Sequence, residues 1–329
     1  MKIVVIGAGA MGCLYGGLLA RQTENEVVLF DLDREHVDRI ERDGLHLDGA
    51  TGDHVIRVEA TTDADSVREQ NLAIVFVDSN NTAAAGALAK AMLAPDGFVL
   101  TLQNGVGNVE ALTEALGAER VLAGISFHSA ARQGAGHVTH THAERTWFGE
   151  LDGRASARVD DVAGRLERAG FTPVPVDNVL GYIWGKWVLN CSINALCAIT
   201  GLRLGEMIRI PELDALQDHV IEEALAVVRA KGITIADADP RTLIKTHCWK
   251  KFSKPSMLQH VEQGKRTEID ALNGAVVRES RALGLAAPYN EAVVAFAKGR
   301  EKKRMIEVDG PEPDYARLEA DAKDTAYTF

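Results

Sequence analysis

In the stretch GKWVLNCSIN, residues 185 to 194, Lys186, Asn190 and Asn194 recur every fourth residue within an otherwise mostly apolar run. At about 100° per residue, positions four and eight apart drift by only about 40° and 80°, so on a helix the three form one polar stripe. A lysine by itself in such a place is more often a surface residue whose stem covers apolar neighbours. Two asparagines in register change that reading, because asparagine is a mediocre helix former and its presence points to a need for hydrogen bonds. Further on, PSMLQHVEQGKRTEIDALNG, residues 255 to 274, presents Ser256 and Glu268. A carboxylate beside a lysine orients the ammonium and fixes its protonation, which suits proton transfer to an oxygen gaining negative charge.

The chain opens with a second chemical signal. GAGAMG, comprising Gly7, Ala8, Gly9, Ala10, Met11 and Gly12, lies between the strand-like KIVVI and the helix-like GCLYGGLLARQ. In that context Gly7 permits a tight turn, Gly9 lets a pyrophosphate approach the backbone and Gly12 allows close packing of helix on strand. Asp31 closes the next strand, where a carboxylate accepts hydrogen bonds from both ribose hydroxyls of NAD and repels the extra phosphate of NADP. NAD is the expected cofactor; Arg34, three residues on, keeps NADP as the alternative. LQNG, residues 102 to 105, places Asn104 directly after the strand GFVLT, and such a loop is where an open α/β sheet binds its ligand.

Positioning these residues requires two kinds of element. In the first half, KIVVIG, EVVLFD, LAIVFV and GFVLTL alternate with Ala-rich helical patterns, the rhythm of a parallel sheet. HVTHTHAERTWFGE, residues 137 to 150, alternates like an antiparallel hairpin. From Val179 the pattern becomes helical, over 179–200, 211–232, 240–263, 265–284 and 289–303. Gly201, Gly232 and Gly284 stand at the helix ends, and Pro211, Pro240 and Pro288 near the next starts. The expected fold is α/β: a Rossmann-type dinucleotide-binding domain over 1–177, an all-helical substrate and catalytic domain over 178–308, and a C-terminal tail over 309–329.

A chain of 329 residues with 46% hydrophobic and 25% charged residues has the composition of an ordinary folded protein. Its net charge of -11 offers no attraction for nucleic acid or anionic lipid. Cys13, Cys191, Cys197 and Cys248 form no CxxC pair, no apolar run is long enough to span a membrane, and no signal peptide heads the chain, so a cytoplasmic protein is expected. His128, His137, His140 and His142 are read as polar surface strand residues, with no metal site expected, because no cysteine or carboxylate cluster completes a ligand spacing.

Taken together, GAGAMG, QNG at 103 to 105, KWVLNCSIN at 186 to 194, and SMLQ with RTEIDALNG between 256 and 274 resemble the ketopantoate reductase (2-dehydropantoate 2-reductase) family over roughly residues 1 to 304. The resemblance implies reduction of an α-keto acid by a nicotinamide cofactor, with Lys186 as general acid and Glu268 positioning it and touching substrate. It further implies that Asn190 and Asn194 hold substrate oxygens, that Ser256 lies near the carboxylate, and that Asn104 sits between cofactor and lysine. Partners would be a small keto or hydroxy acid, and a homodimer is compatible with this plan. Two departures bear on specificity. The family's VK dipeptide is replaced in VFVDSNNT by Asp78, which reverses a charge near cofactor and substrate, and the aspartate after SMLQ is His260. Other readings of the same residues are an NAD-dependent dehydrogenase of a different hydroxy acid, an opine-type dehydrogenase and a non-catalytic NAD sensor.

Overall fold

The computed structural model of the chain describes residues 1–311 and 314–323. Strand β1 (Lys2–Ile6) leads into helix α1 (Ala10–Ala20), followed by β2 (Glu26–Phe30), α2 (Arg34–Asp43), β3 (Leu45–Gly49), β4 (His54–Ile56), β5 (Glu59–Thr61) and β6 (Gln70–Val75). Helix α3 (Thr82–Met92), β7 (Leu93–Thr101), α4 (Asn108–Leu116) and β8 (Val121–Ser126) continue the alternation. Strands β9 (Ser129–Gly134), β10 (His137–His142) and β11 (Arg145–Glu150), then α5 (Ala157–Arg168) and β12 (Thr172–Pro175), complete the α/β part.

Eight strands form one sheet in the order β12-β11-β8-β7-β6-β1-β2-β5. From β8 across to β5 every neighbouring pair is parallel. The strands are apolar on both faces because helices cover both. Ile3 and Val5 of β1 join Leu14 and Leu18 of α1, Ile40 of α2 and Leu166 of α5 in one core. Val4 and Ile6, pointing the other way, join Ala85 and Met92 of α3 and Leu112 of α4 in a second.

Two features differ from the sequence reading. VLAGIS, which that reading passes over, is β8, a fully buried strand of the parallel set. Residues 137–150 are not a hairpin: β10 pairs antiparallel with β9 and parallel with β3, whereas β11 pairs with β8 in the large sheet. The alternation is real, but the Ala143–Glu144 step is where the chain changes sheets. The four-stranded second sheet, β4-β3-β10-β9, packs Leu45, Leu47 and Val138 into the same core as α1.

Helices α6 (Val179–Thr200), α7 (Leu204–Met207), α8 (Pro211–Ala230), α9 (Pro240–Lys250), α10 (Ser256–Glu262), α11 (Asn273–Ala282), α12 (Pro288–Asp309) and α13 (Tyr315–Lys323) follow. The α/β domain is thus succeeded by a helical one, as the patterning implied. Pro211, Pro240 and Pro288 each open a helix, where a missing N–H costs nothing. The expected segment 240–263 is split at 251–255, since Pro255 cannot continue a helix. The expected helix 265–284 begins only at Asn273, so Glu268 lies in a turn and not on a helix. The expected tail lies partly outside the described residues, and its described part carries α13.

Contacts divide the chain into two compact units, one of Met1–Asn190 with Ala224–Leu243 and the other of Cys191–Glu223 with Ile244–Phe329. Among the described residues no helix is long and apolar enough to cross a membrane.

Candidate active site

Parallel pairing brings the carboxyl ends of β1, β6, β7 and β8 to one edge of the sheet, and four of the sequence signals gather there. At the end of β1, Gly7 adopts φ +97° and its N–H donates to the Phe30 carbonyl at 2.9 Å. A Cβ on Gly12 would stand 2.0 Å from the Gly7 carbonyl oxygen, so only glycine lets α1 start this close to the strand. A Cβ on Gly9 would meet no protein atom within 4 Å. Packing therefore gives no reason for glycine at position 9. Gly9 is also the N-cap of α1, contributing no side-chain oxygen to the first helical N–H groups, and no acidic residue lies in that first turn. These donors and the positive end of the helix suit an anion.

The loop is held from behind by a residue that sequence reasoning missed. Buried His36 accepts from the Gly136 N–H at its Nδ1 (2.9 Å), so its Nε2 carries the hydrogen and donates to the Ala8 carbonyl at 2.9 Å. Burial, with Arg132 nearby, depresses the His36 pKa and keeps the ring neutral for this role. The Cys13 thiol donates to the same carbonyl at 3.0 Å, and burial pushes its pKa up to about 12.

Asp31 follows β2, and its Oδ1 accepts from the Asp33 N–H at 3.0 Å. Asp33 caps α2 and pairs with Arg132 at 2.7 Å, while Arg34 is exposed. The guanidinium of Arg132 is thereby committed to the carboxylate of Asp33.

Beyond β6 and β7 the two loops are tied together. Gln103 donates to the Val77 carbonyl at 2.7 Å, and the Asn104 carbonyl accepts from Ser79 Oγ and from Asn108 Nδ2, both at 2.8 Å. Asn104 is half-buried on this frame, and Asp78 stands exposed in the neighbouring loop.

Lys186 reaches the end of β8. Its Nζ donates to the Ser126 carbonyl at 2.5 Å and lies 5.0 Å above the Phe127 ring. Ser126 is fixed in turn: Tyr15 donates to its Oγ at 2.9 Å, and Thr146 Oγ1 lies 2.5 Å from the Tyr15 oxygen. Burial pushes the Tyr15 phenol up to about 12, so it remains a neutral donor. Asn190, one turn on, is half-buried. Nothing in the spacing marks Tyr15, Ser126 or Thr146, which stand 111 and 131 residues from one another in the two bonds.

In the second unit, Asn194 is 4% exposed, which rules out a solvated seam at that end of the stripe. Ser256 opens α10 and is exposed, whereas Glu268 is half-buried. The Glu268 carbonyl accepts from the N–H groups of Ala271 and Leu272, closing the turn. Glu301 accepts from the Thr267 N–H at 2.6 Å. Asn273, wholly buried, donates to the Cys191 carbonyl and to Asn290 Oδ1, both at 2.9 Å. The asparagine of RTEIDALNG thus anchors the segment that displays Glu268.

Two models of one family match this chain, Ketopantoate reductase PanE/ApbA over residues 3–153 and its C-terminal part over residues 178–301. The chain belongs to the ketopantoate reductase family. A 2-dehydropantoate 2-reductase of Halobacterium salinarum is 33% identical over 291 residues, 88% of this chain and 95% of that protein. A PanE/ApbA family ketopantoate reductase from Ralstonia eutropha JMP134 superposes with a TM-score of 0.85 at 35% identity, covering 92% of this chain and 99% of that one. D-Mandelate dehydrogenase, solved with NADH and anilino(oxo)acetate, superposes with a TM-score of 0.84 at 25% identity, covering 92% and 99%.

Within the ketopantoate reductase fold, the four histidines singled out by spacing play different parts. His128 and His140, expected at the surface, are buried at 8% and 1% exposure, with His128 Nδ1 3.1 Å from His140 Nε2. A register shift between His140 and His142 breaks the alternation that would have put both on one face. His142 is exposed and pairs with Glu144 at 3.2 Å.

Proposed function

We propose that this chain reduces a 2-keto acid to the 2-hydroxy acid with a nicotinamide dinucleotide, using Lys186 as the proton donor. The observation that carries this reading is the seating of the Lys186 ammonium on the Ser126 carbonyl, at the same sheet edge as the open face of Gly9. Gly7, Ala8, Gly9, Ala10, Met11 and Gly12 would hold the pyrophosphate, Asp31 the adenosine ribose, and Asn104 the region between cofactor and lysine. When bound, the nicotinamide supplies the hydride that the carbonyl carbon receives. Lys186 Nζ donates a proton to the carbonyl oxygen, and its charge stabilises the oxygen while that charge develops. The family resemblance implies that Glu268 would orient the ammonium and that Asn190, Asn194 and Ser256 would bind the substrate's oxygens and carboxylate. In functional terms residues 1–177 serve the dinucleotide, 178–308 substrate and catalysis, and 309–329 form the tail.

NAD is the proposed cofactor, because Asp31 disfavours a 2′-phosphate and Arg132 is already paired with Asp33. All four cysteines are free and buried, in keeping with a reducing, cytoplasmic setting. Ketopantoate is the first substrate to test. Asp78, exposed where the family carries a lysine, favours a second reading, an NAD-dependent dehydrogenase of another hydroxy acid, and the likeness to D-mandelate dehydrogenase supports it.

A panel of aliphatic and aromatic 2-keto acids, each assayed with NADH and NADPH, separates the two readings. Highest kcat/KM on ketopantoate supports the first, and highest on an aryl keto acid the second. No turnover of any 2-keto acid with either coenzyme would refute both.

A further inference from the structure

The second sheet carries a cluster that the reaction does not use. His46 and Asp48 lie two residues apart on β3 and so share one face, and the parallel β10 sets His137 opposite His46 and Thr139 opposite Asp48. One donor atom from each of His46, Asp48 and His137 falls within 4.8 Å of the others, and all three residues are half-buried. His137 Nε2 stands 2.8 Å from Asp48 Oδ2, and the two imidazoles stack with centroids 4.1 Å apart. The turn from β3 to β4, with Gly49 at φ +94° and Gly52 at φ +89°, brings Asp53 back so that its Oδ1 lies 2.9 Å from His46 Nε2. The remaining oxygen of Asp48, Oδ1, is shielded from solvent, and the carboxylate's hydrogen-bonding neighbours are the neutral Thr139 hydroxyl and His137. A carboxylate oxygen shielded from water gains from a cation beside it.

We propose that His46, Asp48 and His137 bind one divalent first-row transition-metal ion, with Asp53 closing as a fourth ligand. Two imidazole nitrogens and two carboxylate oxygens suit zinc in tetrahedral coordination; magnesium and calcium prefer all-oxygen sites. Ligand distances near 2.1 Å place tetrahedral donors about 3.4 Å apart, so side-chain rotation of roughly an ångström per donor assembles the site. The backbone frame is already in register. Binding ties β10 to β3 and pins the turn that carries Asp53. Because it leaves residues 7 to 12 and Lys186 untouched, it does not rest on the proposed reaction.

The test uses full-length protein stripped with a chelator and then titrated separately with Zn2+, Co2+, Mg2+ and Ca2+, alongside His137→Gln and Asp48→Asn. Wild type takes up one Zn2+ per chain, at least 100-fold more tightly than either variant. Its Co2+ form shows the intense visible bands of tetrahedral coordination, which both variants lack. Circular dichroism and metal-free unfolding matched to wild type establish that the variants fold. Should His137→Gln fail that check, the near-isosteric Asp48→Asn decides. No zinc uptake by wild type, equal uptake by a folded variant, or tighter binding of Mg2+ or Ca2+ than of Zn2+ overturns the proposal.

Discussion

The two glycines at the mouth of α1 separate ligand space from packing space. In Gly9→Ala the new methyl meets no protein atom within 4 Å, and the residue's φ of -66° is open to alanine. Alanine is a poorer N-cap than glycine by about half a kcal/mol, which is what is recovered by restricting the unfolded chain. The metal-free, ligand-free protein should therefore unfold within about 2 °C of wild type. In Gly12→Ala the methyl would stand 2.0 Å from the Gly7 oxygen, so strand and helix must separate. Overpacking of that kind costs about 1–3 kcal/mol, a fall in Tm of roughly 2–5 °C for a chain of this size. Cofactor binding reverses the order of interest. A methyl on Gly9 holds the pyrophosphate away from the helix N–H groups, and losing one or two charge-assisted hydrogen bonds costs about 1.5–3 kcal/mol, or roughly 10- to 100-fold in NADH affinity. Thermal unfolding without ligand and a fluorescence titration with NADH measure both quantities on the same preparations. NADH binding by Gly9→Ala within twofold of wild type, or destabilisation equal to that of Gly12→Ala, would refute a ligand-facing Gly9.

Lys186→Ala should lower kcat by about 100- to 10,000-fold while leaving the Kd for NADH within threefold, since the ammonium acts in the transition state; retained turnover in stopped-flow assays would end its role as acid. Asp31→Ala should reduce kcat/KM for NADH and raise it for NADPH, narrowing the preference about tenfold or more, and parallel steady-state assays with the two coenzymes check this. Acid should destabilise the fold through His128, whose pKa burial lowers from 6.5 to about 4. In that interval the unfolded chain takes up the proton and the folded one does not, so stability falls as pH drops from 6.5 toward 4, by roughly 2–3 kcal/mol. Urea unfolding at pH 7 and pH 5 should show this loss in wild type and a smaller one in His128→Asn.

Residues whose role is local could be read from the chain. The order strand, GAGAMG, helix is set by neighbours in sequence; Gly7 takes the turn and Gly12 the close helix-on-strand packing that their spacing suggested. The lysine stripe likewise needed only the period of a helix, and α6 runs over the expected residues. What the spacing concealed is long-range. Ser126 matters because Tyr15 and Thr146 converge on it from distant parts of the chain. His36 matters because of a carbonyl 28 residues before it and an N–H 100 residues after it. The helical pattern across 240–263 runs straight through Pro255, and that around Glu268 through a turn whose partners, Glu301 among them, lie further on.

The His36 bridge also has a bearing on the order in which the molecule is built. The glycine turn stands within the first dozen residues, yet the N–H that sets the tautomer of its supporting imidazole belongs to Gly136. During synthesis at about 5–20 residues per second, that donor is made several seconds to half a minute after the turn itself. Strand β10, directly behind Gly136, pairs with β3 across the same wide separation, and such closures are slow because loop entropy is lost before the contact forms. The earliest motif on the chain therefore gains its support only once residue 136 has been made, and a truncated or stalled chain ending before residue 136 would carry the glycines without the support that holds them.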